Sequence, residues 1–133
     1  MAQGLAVELP LHIDPTDGAY GLHKNIEDVA KQNLKMIVLT SPGERVMEPN
    51  FGVGIRSYLF DQNTPSTISI IRTRIDNQVK TYLPYIQITD LRVENRPASP
   101  GSSDIDKTFL SVGITFNVPS ANVASDLSIP IEI

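Results

Sequence analysis

The apolar pattern of this chain changes period at Pro84, and that switch constrains its fold more than any other feature. Before Pro84 the apolar residues recur at helical spacing; after it they alternate. Ile26, Val29, Ala30, Leu34 and Ile37 mark a helix over residues 26 to about 39, with Lys24, Glu27, Asp28, Lys31 and Lys35 mostly on its other side. Asn25 is its cap, and Ser41-Pro42-Gly43 stops it. Thr64-Pro65 starts a second helix, striped by Ile68, Ile71, Ile75, Val79 and Tyr82 and ended by Pro84. Arg72 with Asp76, and Asp76 with Lys80, pair on its wet side at ~0.2–0.5 kcal/mol each. The isoleucines decide the helix, at ~1.5–3 kcal/mol for each fully buried side chain.

Past Pro84, Ile86 and Ile88 alternate, and so do Leu91 and Val93, but with opposite parity. One regular strand cannot keep both pairs on the same face, so a bulge is expected near Thr89-Asp90. Residues 95–106 read as a mobile loop. Leu110, Val112, Ile114, Phe116 and Val118 then share a face, followed by Leu127, Ile129, Ile131 and Ile133. Pro130 donates no ladder hydrogen bond, which makes the last segment an edge strand or an extended arm. Upstream, Leu11 and Ile13 with residues 19–22 suggest a small hairpin around Asp14-Pro15-Thr16-Asp17-Gly18. Gly54 to Phe60 reads as a short helix with Ile55, Tyr58 and Leu59 inward. Helices first and strands after imply an α+β domain: a mostly antiparallel sheet with two main helices packed on one face. The expected organisation is a flexible N-terminal arm over residues 1–9 and a single domain over residues 10–133.

Bulk properties narrow the function. The chain has 133 residues, no cysteine and a net charge of −4. Disulfides and cysteine zinc sites are therefore excluded, and neither nucleic acid nor an anionic membrane is an electrostatically favoured partner. The first residues, Met-Ala-Gln-Gly-Leu, lack a basic stretch followed by an apolar core, so no secretory signal is expected, and the longest apolar run, Met36 to Leu39, is too short to span a bilayer. Glu44, Glu48 and Asp61 supply carboxylates, but nothing sets a pair of them across a cleft. His12 and His23 read as surface histidines, without cysteine or a carboxylate at ligand spacing. Gly52-x-Gly54-x-x-Ser57 follows no strand and so is no dinucleotide loop. Arg72, Arg74 and Lys80 read as a solvated helix face. No catalytic residue, metal ligand or cofactor is assigned, and the chain is read as a non-enzyme.

Residues 40–54 are too elaborate for a plain connector. They hold two prolines, three glycines, two glutamates and an arginine. Pro49 biases Glu48 toward extended geometry. Gly52 and Gly54 allow close backbone approach. Phe51 is expected to be an anchor, either into the domain's own core, the favoured case, or into a partner.

The order and spacing of these pieces over roughly residues 10–118 resemble the baseplate wedge and sheath-initiator family of contractile-tailed bacteriophages. That family is also called lysozyme-like, and is shared with type VI secretion and other contractile injection systems. The matching pieces are Pro10-Leu11-His12-Ile13-Asp14 with Asp17-Gly18, then Pro42-Gly43-Glu44-Arg45-x-Met47-x-Pro49-x-Phe51-Gly52, Leu59-Phe60, the isoleucine-striped helix and the strands after Pro84. The family's Glu-Pro-Arg falls on Glu48, Pro49 and Asn50, so the arginine is absent here; Arg45 is the substitute cation considered. The resemblance implies a structural baseplate component, six copies per baseplate, that binds wedge proteins and templates sheath assembly by strand exchange. Implied partners are wedge proteins, the sheath protein and tube or hub proteins, with no nucleic acid and no membrane. The implied location is the virion tail baseplate, assembled in the bacterial cytoplasm. Implied contact residues are Glu44, Arg45, Glu48, Pro49, Asn50 and Phe51 in the loop, and Leu127, Ile129 and Ile131 in the last strand. That strand is either donated to another chain or closes the sheet within its own. The competing readings are a peptidoglycan hydrolase and a generic small protein-binding module.

Overall fold

The computed structural model describes residues 4–61, 64–96 and 109–132. Its elements run β1 (Ala6–Val7), β2 (Leu22–His23), α1 (Ile26–Leu39), α2 (Pro65–Tyr82), β3 (Gln87–Arg96), β4 (Phe109–Val118) and β5 (Val123–Glu132), with a 3-10 helix (Ile55–Phe60) between α1 and α2. The fold is α+β, as the change of period at Pro84 implies. Of the loop expected at 95–106, Asn95 and Arg96 end β3; the rest lies outside the described residues.

Both helices begin and end where local chemistry predicts. Asn25 takes the extended cap conformation, but its side chain reaches Asp28 (3.4 Å) and caps no N–H. Thr40 closes α1, with its N–H and its hydroxyl both donating to Met36 O at 2.9 and 2.6 Å. Thr64 Oγ1 accepts from Thr67 N at 3.3 Å and starts α2 with Pro65. Lys80 pairs with Asp76 at 2.6 Å; the expected Arg72–Asp76 pair is not made.

The large sheet is antiparallel in the order β3-β4-β5. Its register slips between Ile88 and Asp90, so the bulge sits where opposed parity requires it. Val93, Val112 and Ile129 then stand side by side, as do Leu91, Ile114 and Leu127. The helices cover this face, α1 against β5 and α2 against β3. Leu34, Ile37, Ile71, Ile75, Val112 and Phe116 are among the fully buried side chains between the layers. Asn33 Nδ2 donates to Tyr85 Oη (2.7 Å) and Ser125 Oγ to Glu27 Oε1 (2.7 Å), tying α1 to the chain after α2 and to β5.

The N-terminal segment differs from expectation. Ala6–Val7, read as loose arm, pairs antiparallel with Leu22–His23. The hairpin expected between Leu11-Ile13 and residues 19–22 is reduced to one bridge, Ile13 with Tyr20. Gly21 accounts for the shortening: its N–H still donates to His12 O (3.1 Å), but its carbonyl, which would continue the ladder, accepts from Glu8 N (2.9 Å).

Candidate functional site

Residues 40–54 leave α1 and return to it. Gly54 N donates to Thr40 O and Val53 N to Ile37 O, both at 2.9 Å, so the two ends of the loop meet at the C-terminus of α1. Within the loop, Gly43 N donates to Pro49 O (2.7 Å), Phe51 N to Glu48 O (3.1 Å) and Ser41 N to the Glu44 carboxylate (2.9 Å). The backbone at the exit demands glycine. Gly52 has φ 105°, and a Cβ there would stand 2.2 Å from Thr40 O. Gly54 has φ 67°, and its Cβ would meet Pro42 Cδ at 2.8 Å.

Two side chains fix the loop to the domain. Phe51 is buried and meets Tyr82 edge-on, with ring centroids 5.0 Å apart. Gln78 of α2 reads the loop backbone with both ends of its amide: Nε2 donates to Asn50 O (3.0 Å), and Oε1 accepts from Gly52 N (2.9 Å). Arg45 places its guanidinium 3.9 Å above the outer face of the Phe51 ring. Residues 41–50 are otherwise exposed, and Val46 and Met47 reach 93% and 91% exposure. The loop thus holds two large apolar side chains in solvent on a hydrogen-bonded backbone.

The expected contact residues fall into two groups. Glu44, Arg45, Glu48, Pro49 and Asn50 sit together on the exposed loop, and the Glu48 side chain has no partner among the described residues. Phe51 is the anchor beneath them. In β5, by contrast, Ile129 and Ile131 are in the core and Leu127 packs against it. β5 pairs with β4 of its own chain, and its other backbone edge is unpaired among the described residues. At the start of that strand, Lys31 and then Ser125 hold the Glu27 carboxyl below its usual range.

Sequence reasoning missed Gln78 and a second glutamine that does the same work. Gln32 of α1 donates to Val7 O (3.0 Å) and accepts from Leu9 N (3.0 Å) and the His23 ring (2.7 Å). His23 also lies 3.7 Å, and His12 3.6 Å, from the two oxygens of Glu8. His23 is therefore half-buried, not a surface residue as expected. The available signal was position: Gln78 is three residues after Ile75 and seven after Ile71, on the border of the buried stripe.

The fold is shared with chains of baseplates from contractile injection machines. A chain of the anti-feeding prophage baseplate superposes with TM-score 0.68 at 22% identity, over 89% of this chain and 86% of that one. A chain of the type VI secretion baseplate complex superposes with TM-score 0.53 at 16% identity, over 81% and 93%. A Geobacter sulfurreducens protein described as a candidate tail lysozyme matches with TM-score 0.68 at 25% identity, over 85% and 96%. The family model described as baseplate wedge protein gp25 matches residues 24–123, and the chain belongs to that family. The gp25 of Enterobacteria phage T4 is 34% identical over 56 residues, and that match spans 42% of each chain. The matched range contains the loop, both helices and β3 and β4; the resemblance at Pro10 to Gly18 lies outside it.

Proposed function

We propose that the chain is a structural wedge component of a contractile-tail baseplate, that it binds neighbouring wedge proteins through residues 41–50, and that it offers the outer edge of β5 to a sheath strand. The observation that carries the reading is the loop: Gln78 and Phe51 fix it to the domain, Arg45 lies over Phe51, and Val46, Met47 and Glu48 are left to solvent. Preorganisation of this kind lowers the entropy lost on docking. The unpaired backbone edge of β5 supports the second half, since such an edge accepts a strand from another chain. Six copies per baseplate, assembly in the bacterial cytoplasm and contacts to tube or hub proteins complete the proposal.

Co-purification with the wedge and sheath proteins encoded beside this chain, followed by electron microscopy, tests it. Glu48→Ala should leave the fold intact and weaken wedge binding; a lower melting temperature with unchanged affinity would assign Glu48 a purely structural role. Deletion of residues 125–133 is not a clean test of the edge, because Ile129 and Ile131 belong to the core. Ser128→Pro is better. A proline fits a ladder without loss only where its nitrogen faces away, so Pro130 marks the outward-facing set, and Ser128 is two residues from it. That variant should impair sheath growth more than wedge binding; normal growth would remove β5 as the template.

The hydrolase reading draws on the Geobacter sulfurreducens relative. In this chain Glu44 is engaged with Ser41 N, and Glu48 stands on the open loop, not opposite another carboxylate in a cleft. Turnover of purified murein would overturn the structural reading.

A further inference from the structure

A groove of about 560 Å³ runs between the loop and α2. Ile70, Thr73, Arg74 and Asn77 form one wall; their i, i+3, i+4, i+7 spacing makes them a single face of the helix. Pro42 and Asn50 stand on the loop side. Arg74 is the one charged side chain among the lining residues, and it is half-buried there. Lys24, Lys31, Lys80 and Arg92 each hold a carboxylate, whereas the Arg74 guanidinium makes no ion pair or hydrogen bond with a described residue. A cation drawn partly out of water without a counter-charge is unfavourable until one arrives. Beside it, Ile70 leaves 53% of its surface in solvent. Arg45 is placed differently, with one face of its guanidinium lying on Phe51.

We propose that this groove docks a segment of a neighbouring baseplate protein that presents a carboxylate next to an apolar side chain. Arg74 takes the carboxylate through its planar fork, and Ile70 covers the apolar group. The inference rests on the wedge-protein reading and names the partner chemistry of that same surface. It also replaces the view of Arg74 as one of three solvated cations on the helix: Arg72 is exposed, and Arg74 is not. Its position in the same groove as Asn50 makes it, ahead of Arg45, the positive group beside the Glu48-Pro49-Asn50 segment.

The test is the affinity of the full chain for the co-expressed wedge proteins encoded beside it. Arg74→Glu should weaken the complex about tenfold or more, Ile70→Ser several-fold, and Arg72→Glu not at all. Melting curves check that each variant folds. Restoration of the Arg74→Glu complex by an acidic-to-arginine change in the partner would identify the carboxylate. Equal affinity of native and Arg74→Glu chains would overturn the groove and leave the wedge reading standing. No complex with the native chain would remove both.

Discussion

The loop over residues 41–50 and the N-terminal ribbon around β1 are held by the same device with different consequences. Each is read by one glutamine amide that pairs with a C=O and with an N–H two residues on: Asn50 and Gly52 for Gln78, Val7 and Leu9 for Gln32. Around Gln78 one of the two partners is sealed from water and the other, Asn50, is exposed. Gly52 is buried and Phe51 lies beside it. Around Gln32 the backbone borders water, and Leu5, Val7, Leu9, Leu11 and Ile13 are all exposed. A hydrogen bond contributes according to what its partners would lose without it, so equal geometry does not mean equal stabilisation.

The largest contrast should come from glycine substitution. Gly52→Ala drives a Cβ onto the Thr40 carbonyl at positive φ and should cost about 3 kcal/mol or more, read from thermal unfolding. In the ribbon, Gly21→Ala meets the ends of two side chains, the half-exposed His12 ring and the Glu8 carboxylate, which can swing away, and should cost less than about 1 kcal/mol. Equal losses would erase the distinction between the two regions.

Removing the glutamines is the next test. Gln78→Ala strands the buried Gly52 N–H and should destabilise by about 1–3 kcal/mol, with faster amide exchange at Gly52. Gln32→Ala should stay near 0.5 kcal/mol, roughly the cost of a hydrogen bond that water can replace. A smaller effect is expected of Arg45→Gln, which removes the cation over Phe51 at about 0.5–1 kcal/mol, since Arg45 is exposed.

The smallest effect is acid sensitivity. Lys24, and then Leu22 N, hold the Asp17 carboxyl below its ordinary 3.8, and Lys31 and Ser125 hold Glu27 below its ordinary 4.5. A carboxyl whose folded pKa lies below the unfolded one stabilises fully above the unfolded value. Its contribution fades as pH falls through the folded value. Acidification should therefore loosen the Leu22 amide in the ribbon, and Asp17→Asn should make its exchange less dependent on pH in that range. An unchanged pH dependence in Asp17→Asn would assign the effect to another group.

The large sheet and both helices were legible because burial imposes a period, and the parity conflict at Ile88 and Leu91 even located the bulge. The loop was legible as an object, through its prolines and glycines, and Phe51 as its anchor. The grip on it was not, because Gln78 bonds to backbone atoms that carry no residue identity. The same limit hid Gln32 and misread the ribbon, where Ala6 and Val7 carry too little pattern to announce a strand. The roles of Ile129 and Ile131 needed the register: an alternating edge strand looks alike whether its apolar face meets its own core or a partner's.

Because residues 40 and 54 are hydrogen-bonded to each other, the segment between them is topologically a detachable handle. Changes of length within residues 41–50 should therefore leave α1 and the sheet in place, provided the closing glycines, Phe51 and Val53 are kept. The handle of one such protein, grafted between these two positions of another, should carry its partner preference with it.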